Sequence, residues 1–148
     1  MPTHDDVRAW LAAGNSHDPQ QILDLASDDF VMHQPQNPEP LDAQKLVSFF
    51  TMLWSALPDI KFNSIGITIE GDTAASWERV TATMTGPMTD VATGKVIQPT
   101  GKSFDVEAAM RLVYNDKNQL KEAWIFWDRI TLYQQLGILK EIVEGIPS

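Results

Sequence analysis

The stretch FNSIGITIEGDTAASWERVTATMT, residues 62–85, decides the fold class of this chain. Ile65, Ile67 and Ile69 recur at every second position, which is the period of a β-strand with one buried face. Gly71-Asp72 is a turn signal, and 74–85 is a second long segment rich in Thr, Val and Trp. Two such segments on either side of a short turn predict a pair of antiparallel strands.

Helical patterns precede these strands. Apolar residues at helical spacing predict helices over 5–13, from about 19 to 25, and over 42–57, where an aspartate at 42 is a favourable N-cap. Between the last two, 30–33 is a short apolar run that predicts a brief strand. The segment 35–40 contains three prolines and is predicted to be a loop, because proline lacks the N–H that regular structure needs.

Further strands follow. Residues 86–101 hold most of the turn residues of the second half and predict an extended loop or an irregular hairpin. Residues 104–114 and 120–127 predict two strands joined by a polar turn, and 128–139 predicts a closing helix. Helices first and then strands at hairpin spacing is the α+β pattern. We therefore predict one domain over 1–148, in which a curved, mostly antiparallel sheet and the helices enclose an apolar pocket.

Composition excludes several classes of function. The chain has 148 residues and no cysteine, so disulfides and thiolate metal sites are impossible. Its net charge is −9, and its 11 Lys and Arg residues are scattered, which argues against nucleic acid. No segment has the pattern of a membrane span or a secretory signal, and the three histidines lack metal-ligand spacing. We expect a cytoplasmic protein with a small apolar partner molecule and no metal, cofactor, membrane or nucleic acid.

Four segments in order carry a family resemblance: Asp-Phe-Val-Met-His at 29–33, Leu-Pro-Asp-Ile at 57–60, Pro-Thr-Gly-Lys at 99–102, and Trp-Ile-Phe-Trp-Asp-Arg at 124–129 leading into Gln-Gln-Leu-Gly. With them the chain resembles the SnoaL-like family of polyketide and ester cyclases, within the nuclear transport factor 2-like superfamily. The resemblance implies a cone-shaped, cystatin-like α+β fold with a ligand pocket at its open end, and it implies a homodimer. Because this superfamily hosts many activities, the fold alone does not define the function.

The chain departs from the family pattern at one pocket position. Members commonly carry a Gly-Thr-His-Thr-Gly-like run at the end of the second long strand, where this chain has Ala-Thr-Met-Thr-Gly at 82–86. Met84 thus replaces a histidine that often lies in the pocket. This departure weakens the transfer of the cyclase mechanism.

Strand alternation predicts which side chains share a face. In the last strand, strict alternation groups Leu120 and Glu122 with Asp128, and the resemblance assigns this face to the pocket. Ile125, Trp127 and Trp77 then fall on outer faces, where they suit a dimer interface or helix packing. The predicted substrate-binding residues are Trp54, Glu78, Met84, Met110, Tyr114, Glu122, Trp124 and Phe126.

Asp128 and His33 are the predicted catalytic residues. In the cyclases that this chain resembles, the aspartate that matches Asp128 acts as acid and base in an intramolecular aldol closure. A carboxylate among apolar side chains has a raised pKa, which suits proton transfer near neutral pH. His33 occupies a position where the family often places a pocket histidine. The alternative interpretations are that Asp128 only caps the final helix and that His33 only braces a loop.

Three functions remain open on the sequence alone. The leading one is a cofactor-free cyclase or isomerase that acts on an apolar carbonyl compound through Asp128. The second is a non-catalytic module that binds a small ligand in the same pocket. The third is an epoxide hydrolase-like enzyme, which needs a second pocket carboxylate such as Glu78 or Glu122. For these two glutamates the alternative is a place at the sheet rim, paired with a cation in solvent.

Overall fold

A computed structural model of the chain describes residues 1–35, 37–90 and 93–144. Five helices and eight strands make up this part, and among its residues no helix is long and apolar enough to cross a membrane. In chain order the elements are α1 (His4–Ser16), α2 (Pro19–Leu25), β1 (Ala26–Gln34), β2 (Asn37–Asp42), α3 (Ala43–Ala56), β3 (Lys61–Glu70), β4 (Thr73–Thr83), β5 (Met88–Thr89), β6 (Val96–Ile97), β7 (Ser103–Tyr114), β8 (Leu120–Trp127), α4 (Arg129–Leu136) and α5 (Leu139–Glu144).

The main sheet has the strand order β2-β1-β8-β7-β4-β3, and β5 and β6 form a separate small hairpin. Its neighbouring strands are antiparallel, except that β1 and β8 run parallel. On the concave face α1 packs on β3, while α3 contacts β1 and β2. The predicted α+β class and the mostly antiparallel curved sheet are confirmed.

Local signals place the helix ends. Thr3 and Asp6 form a reciprocal capping box at the start of α1, so the first free backbone N–H groups find acceptors. The Asp42 carboxylate accepts from the Lys45 N–H at 2.8 Å and begins α3, as the sequence predicts.

The segment predicted as a proline-rich loop contains a strand instead. Pro38 and Pro40 lie in β2, at the edge of the main sheet. The residues of β2 that pair with β1 are Asn37, Leu41 and Asp42, so neither proline has to donate to the ladder. An edge strand tolerates proline for this reason, and the loop prediction was wrong over 37–40.

The opposite edge strand, β3, is tied to α1 by one side chain. The Asn15 amide donates to the Phe62 carbonyl at 3.0 Å and accepts from the Phe62 N–H at 2.7 Å. These two bonds imitate a strand partner, because an asparagine side chain carries the same donor and acceptor as a peptide unit.

Two β-bulges interrupt the alternation on which the sequence analysis depended. In β3 the register shifts between Ser64 and Gly66, and Ile65 becomes 49% exposed and separates from Ile67 and Ile69. In β8, Val113 pairs with Glu122 but Tyr114 pairs with Leu120, so Lys121 is an extra residue. A bulge of one residue reverses which later side chains face the core.

One carboxylate is buried inside the concave face. Glu78 on β4 is only 1% exposed, and its Oε1 has no hydrogen-bond partner among the described residues. Removal from water disfavours the charged form, and burial raises the pKa of Glu78 to about 7. Below about pH 7 the uncharged, protonated form of this side chain therefore predominates in the core.

We predict that stability falls as the pH rises from 4.5 to about 7, because 4.5 is the ordinary pKa of this carboxyl and about 7 is its folded value. The folded state holds the proton of Glu78 more tightly than the unfolded state does. The protonated carboxyl therefore stabilises the fold fully below pH 4.5, and this stabilisation is lost as the pH rises past about 7. Its upper limit is about 3 kcal/mol. Urea unfolding of Glu78→Gln against pH should show a flatter profile and a gain in stability at pH 8. Glu70→Gln, which alters an exposed carboxyl, is the control, and an unchanged profile in Glu78→Gln would contradict the prediction.

Candidate active site

The main pocket lies between α3, α4, α5 and the concave face of the sheet. We call it the outer pocket; its volume is about 70 Å³ and it opens to solvent. Most of its lining is apolar, which is the usual composition of a small-ligand site. The lining residues are Phe49, Met52, Leu53, Leu57, Met88, Thr89, Asp90, Phe104, Trp127, Arg129, Leu132, Tyr133 and Ile142.

Two further spaces adjoin the outer pocket. The inner pocket, of about 20 Å³, lies over the middle of the sheet and shares Phe49 and Trp127 with the outer pocket. An open groove of about 340 Å³ runs along α3 and shares Phe49, Met52 and Thr89 with the outer pocket. The inner pocket is lined by Trp10, Leu11, Gly14, Met32, Gln34, Phe49, Phe50, Phe62, Met110, Ile125 and Trp127.

An arginine and a tyrosine from α4 provide hydrogen-bonding groups in the outer pocket. Arg129 and Tyr133 are four residues apart on one helix, so they share a face. The Arg129 guanidinium donates to the Tyr133 hydroxyl oxygen at 2.9 Å from Nη2 and at 3.2 Å from Nε. Because the oxygen accepts from arginine, the hydroxyl hydrogen is free to donate to a ligand.

The carboxylate-bearing residue Asp90 also lines the outer pocket. It follows β5 and is 6% exposed. The Thr93 hydroxyl donates to its Oδ2 at 2.7 Å, and backbone bonds to Gly94 and Lys95 fix the turn around it. The outer pocket thus combines a proton acceptor with the Arg129–Tyr133 donor pair in a mainly apolar setting. Such a set can remove a proton next to a carbonyl and hold the resulting oxyanion.

The prediction that Asp128 points into a pocket was wrong. Asp128 is exposed and is the N-cap of α4, accepting from the Thr131 N–H at 3.1 Å. Hydrogen bonds from the Thr131 side chain, which has the larger effect, and from the Thr131 backbone N–H hold the pKa of Asp128 below its ordinary value. A group that transfers protons near neutral pH needs a raised pKa instead. The geometry therefore gives no support to a catalytic role for Asp128.

The bulge at Lys121 explains this error. After it, Ile125 and Trp127 face the pockets, although strict alternation assigned them to the outer face. Phe126, predicted to bind substrate, is 51% exposed instead.

His33, Glu122 and Trp124 also lie away from the pockets. Their side chains meet on the outer face of the sheet, where His33 Nε2 is 3.2 Å from Glu122 Oε1 and the His33 ring stacks on Trp124 at 4.8 Å. From the neighbouring strand the Arg111 guanidinium lies 3.7 Å from the centre of the Trp124 ring. Alternation placed Glu122 and Trp124 on the wrong face for the same reason as Phe126, whereas His33, on β1, was assigned to the pocket from the family resemblance.

The remaining predicted residues lie in the core. Met110 lines the inner pocket. Trp54 is buried and connects α3 to α1, because its Nε1 donates to the Gly14 carbonyl at 2.9 Å. Glu78, Met84 and Tyr114 are buried and do not line the three spaces described above. Burial raises the pKa of the Tyr114 hydroxyl.

Sequence reasoning missed Asp90, Tyr133 and the pocket role of Arg129. Asp90 lies in the segment predicted only as an irregular loop or hairpin, where alternation gives no direction for a side chain. For Arg129 and Tyr133 a signal existed: two polar groups four residues apart at the start of a closing helix point the same way. Among the described residues no cluster of three His, Cys, Asp or Glu side chains has the geometry of a metal site.

We predict that Asp128→Ala lowers the free energy of unfolding through the loss of an N-cap, whereas Asp128→Asn is nearly neutral. Alanine cannot accept the Thr131 N–H, but asparagine is also a good N-cap. Urea unfolding of the two variants beside the wild type tests this. Equal losses in both variants would show that the carboxylate charge, and not capping, is what the fold uses.

The chain is similar to known proteins in both sequence and structure. The family model of SnoaL-like polyketide cyclases matches residues 4–136. No curated protein matches the sequence at a significant level. IdmH, a proposed polyketide cyclase from Streptomyces antibioticus, superposes with a TM-score of 0.74 at 22% identity, over 90% of this chain and 96% of its own.

Two other solved structures share the fold. AclR, a proposed hydroxylase from Streptomyces galilaeus, has a TM-score of 0.74 at 25% identity, over 90% of this chain and 93% of its own. A protein of ketosteroid isomerase-like fold from Catenulispora acidiphila, solved in complex with trimethylamine, has a TM-score of 0.75 at 13% identity, over 93% of this chain and 95% of its own. The different descriptions of these neighbours agree with one fold that serves several chemistries.

Proposed function

Because the chain belongs to the SnoaL-like polyketide cyclase family, a cyclase or isomerase type of function is the starting point, and we propose that the protein is a cofactor-free acid/base enzyme for a neutral, apolar carbonyl compound of polyketide type. The observation that carries the proposal is the common pocket of Asp90, Arg129 and Tyr133. The apolar lining selects an uncharged, hydrophobic substrate, and these three polar groups supply the chemistry.

Asp90 is the proposed base. Its carboxylate takes the proton from the carbon next to a substrate carbonyl, and the C–H electron pair moves into an enolate. Asp90 lines the outer pocket and is only 6% exposed, which supports this role, because a ligand there meets the carboxylate with little competition from water.

Tyr133 and Arg129 are the proposed electrophilic pair. The Tyr133 hydroxyl donates its free hydrogen to the enolate oxygen, while Arg129 holds the phenol oxygen with two N–H groups. The positive charge of Arg129 strengthens that hydrogen bond as negative charge develops on the substrate.

Ring closure then needs no other reactant. The enolate carbon attacks a second carbonyl of the same molecule, a C–C bond forms, and the new alkoxide takes back the proton held by Asp90. All atoms of the substrate are retained and no net oxidation occurs. The reaction is thus an isomerisation that proton transfer alone can drive.

We predict that the protein catalyses exchange of the α-protons of α-tetralone, a neutral bicyclic ketone, in heavy water. Asp90→Asn should lower the rate by about 100-fold or more, the range of a lost general base. Tyr133→Phe should also lower it by about 100-fold, the range of a lost oxyanion donor. The measurement is the decay of the α-proton signal in NMR. Asp128→Asn is the matched control and should exchange at the wild-type rate.

Each other outcome supports a different interpretation. Loss of exchange in Asp128→Asn with full exchange in Asp90→Asn would restore the sequence-based assignment and overturn ours. Binding of the ketone without exchange in the wild type would indicate a non-catalytic binding module. The epoxide hydrolase alternative has no support in the geometry, because Glu122 lies on the outer face and Glu78 is not part of the pocket lining.

The homodimer that the family resemblance implies fits the outer face of the main sheet. Trp77 and Phe126 are 41% and 51% exposed there, on one cross-strand row with Gly66 and Ala109. The face also carries charges of both signs, including the Arg79–Asp105 ion pair. A second copy related by a two-fold axis would cover the aromatic side chains and meet groups of opposite charge.

We predict that the wild type is a dimer in sedimentation equilibrium and that Trp77→Glu is monomeric, because a charge in the centre of this face cannot be desolvated in the contact. Ile130→Glu, a change at an exposed residue of α4, is the control and should stay dimeric. A monomeric wild type at high micromolar concentration would refute the assignment.

A further inference from the structure

Phe49 on α3 is the residue that the three spaces have in common. Its side chain lines the outer pocket, the inner pocket and the open groove. It is only partly buried and meets the ring of Phe50 edge-on at 6.0 Å. One side chain thus borders all three spaces.

Trp127, the other residue between the outer and inner pockets, is held more firmly. It is paired with Ala108 in the sheet, and its ring packs edge-on against Phe62 at 6.0 Å. Phe49 projects from a helix surface into open space on the groove side. Rotation of an aromatic side chain at such a site is fast compared with ligand binding.

The outer and inner pockets are each too small for the substrate class proposed above. At roughly 10–15 Å³ for each water, the outer pocket of about 70 Å³ holds several waters and the inner pocket of about 20 Å³ holds one or two. Neither holds a flat fused polycycle. The inner pocket continues the apolar lining with Met32, Met110 and Ile125, so a ligand that passes Phe49 meets a surface of the same chemistry.

We propose that Phe49 determines substrate size: rotation of its ring joins the outer pocket to the inner pocket and the groove, and the joined cavity takes uncharged, apolar ligands larger than either pocket holds alone. This inference rests on the proposed function for the chemical class of the ligand. It requires only binding, so it can be tested without turnover.

The test measures the affinity for a graded series of neutral hydroxyquinones by calorimetry: naphthazarin with two rings, quinizarin with three, and a hydroxynaphthacenequinone with four. In Phe49→Ala the spaces stay joined. The ratio of the affinity for the four-ring compound to the affinity for the two-ring compound should therefore rise by about tenfold or more. Phe49→Trp should change the same ratio in the opposite direction. Val47→Ala shortens a partly buried residue of the same helix outside the three linings and should leave the ratio at the wild-type value.

The opposite effects of the two Phe49 variants distinguish a gate from a general loss of structure. A ratio that is equal in wild type, Phe49→Ala and Phe49→Trp would overturn the inference. Exchange of α-tetralone reports on the proposed function independently. A shifted ratio without exchange leaves Phe49 as the size filter of a binding pocket, and exchange with an unshifted ratio removes the filter and keeps the enzyme.

Discussion

The extra residue in β8 is the constraint on which the site depends. Lys121 has no partner on β7, and from that point Ile125 and Trp127 face the helices while Phe126 faces outward. The strand therefore delivers Trp127 to the boundary of both pockets and ends where Asp128 starts α4. Without the bulge the same sequence would turn Phe126 inward, and the pocket wall would lose its tryptophan.

Three carboxylates show how the surroundings, and not the residue type, define the chemistry. Asp128 is solvated and hydrogen-bonded to helix N–H and hydroxyl groups, which lowers its pKa. Glu78 lies among apolar side chains, and burial raises its pKa to about 7. Asp90 is held by a turn at the wall of an open pocket beside Tyr133. Of these, Asp90 alone combines access to a ligand with a nearby hydrogen-bond donor pair.

Much of the fold could be predicted from sequence because its signals are local. Helical spacing, the Asp42 cap and period-two alternation located α3, β3, β4 and β7 within a few residues. The candidate site could not be predicted in the same way. Each bulge is a register shift between two paired strands, which the pattern of one strand alone does not contain, and the bulge in β8 reverses a face, so alternation misassigned Trp124 and Asp128. Asp90 gave no signal because its direction is set by a short hairpin packed on α3.

The two borders of the main sheet have consequences for how this protein behaves at high concentration. One border consists of β2, where Pro38 and Pro40 cannot donate to an incoming strand, and at the other Asn15 already occupies the peptide group of Phe62. At these positions each border interrupts the ladder of backbone groups that an incoming strand would need, which disfavours growth into cross-β fibrils from the native state.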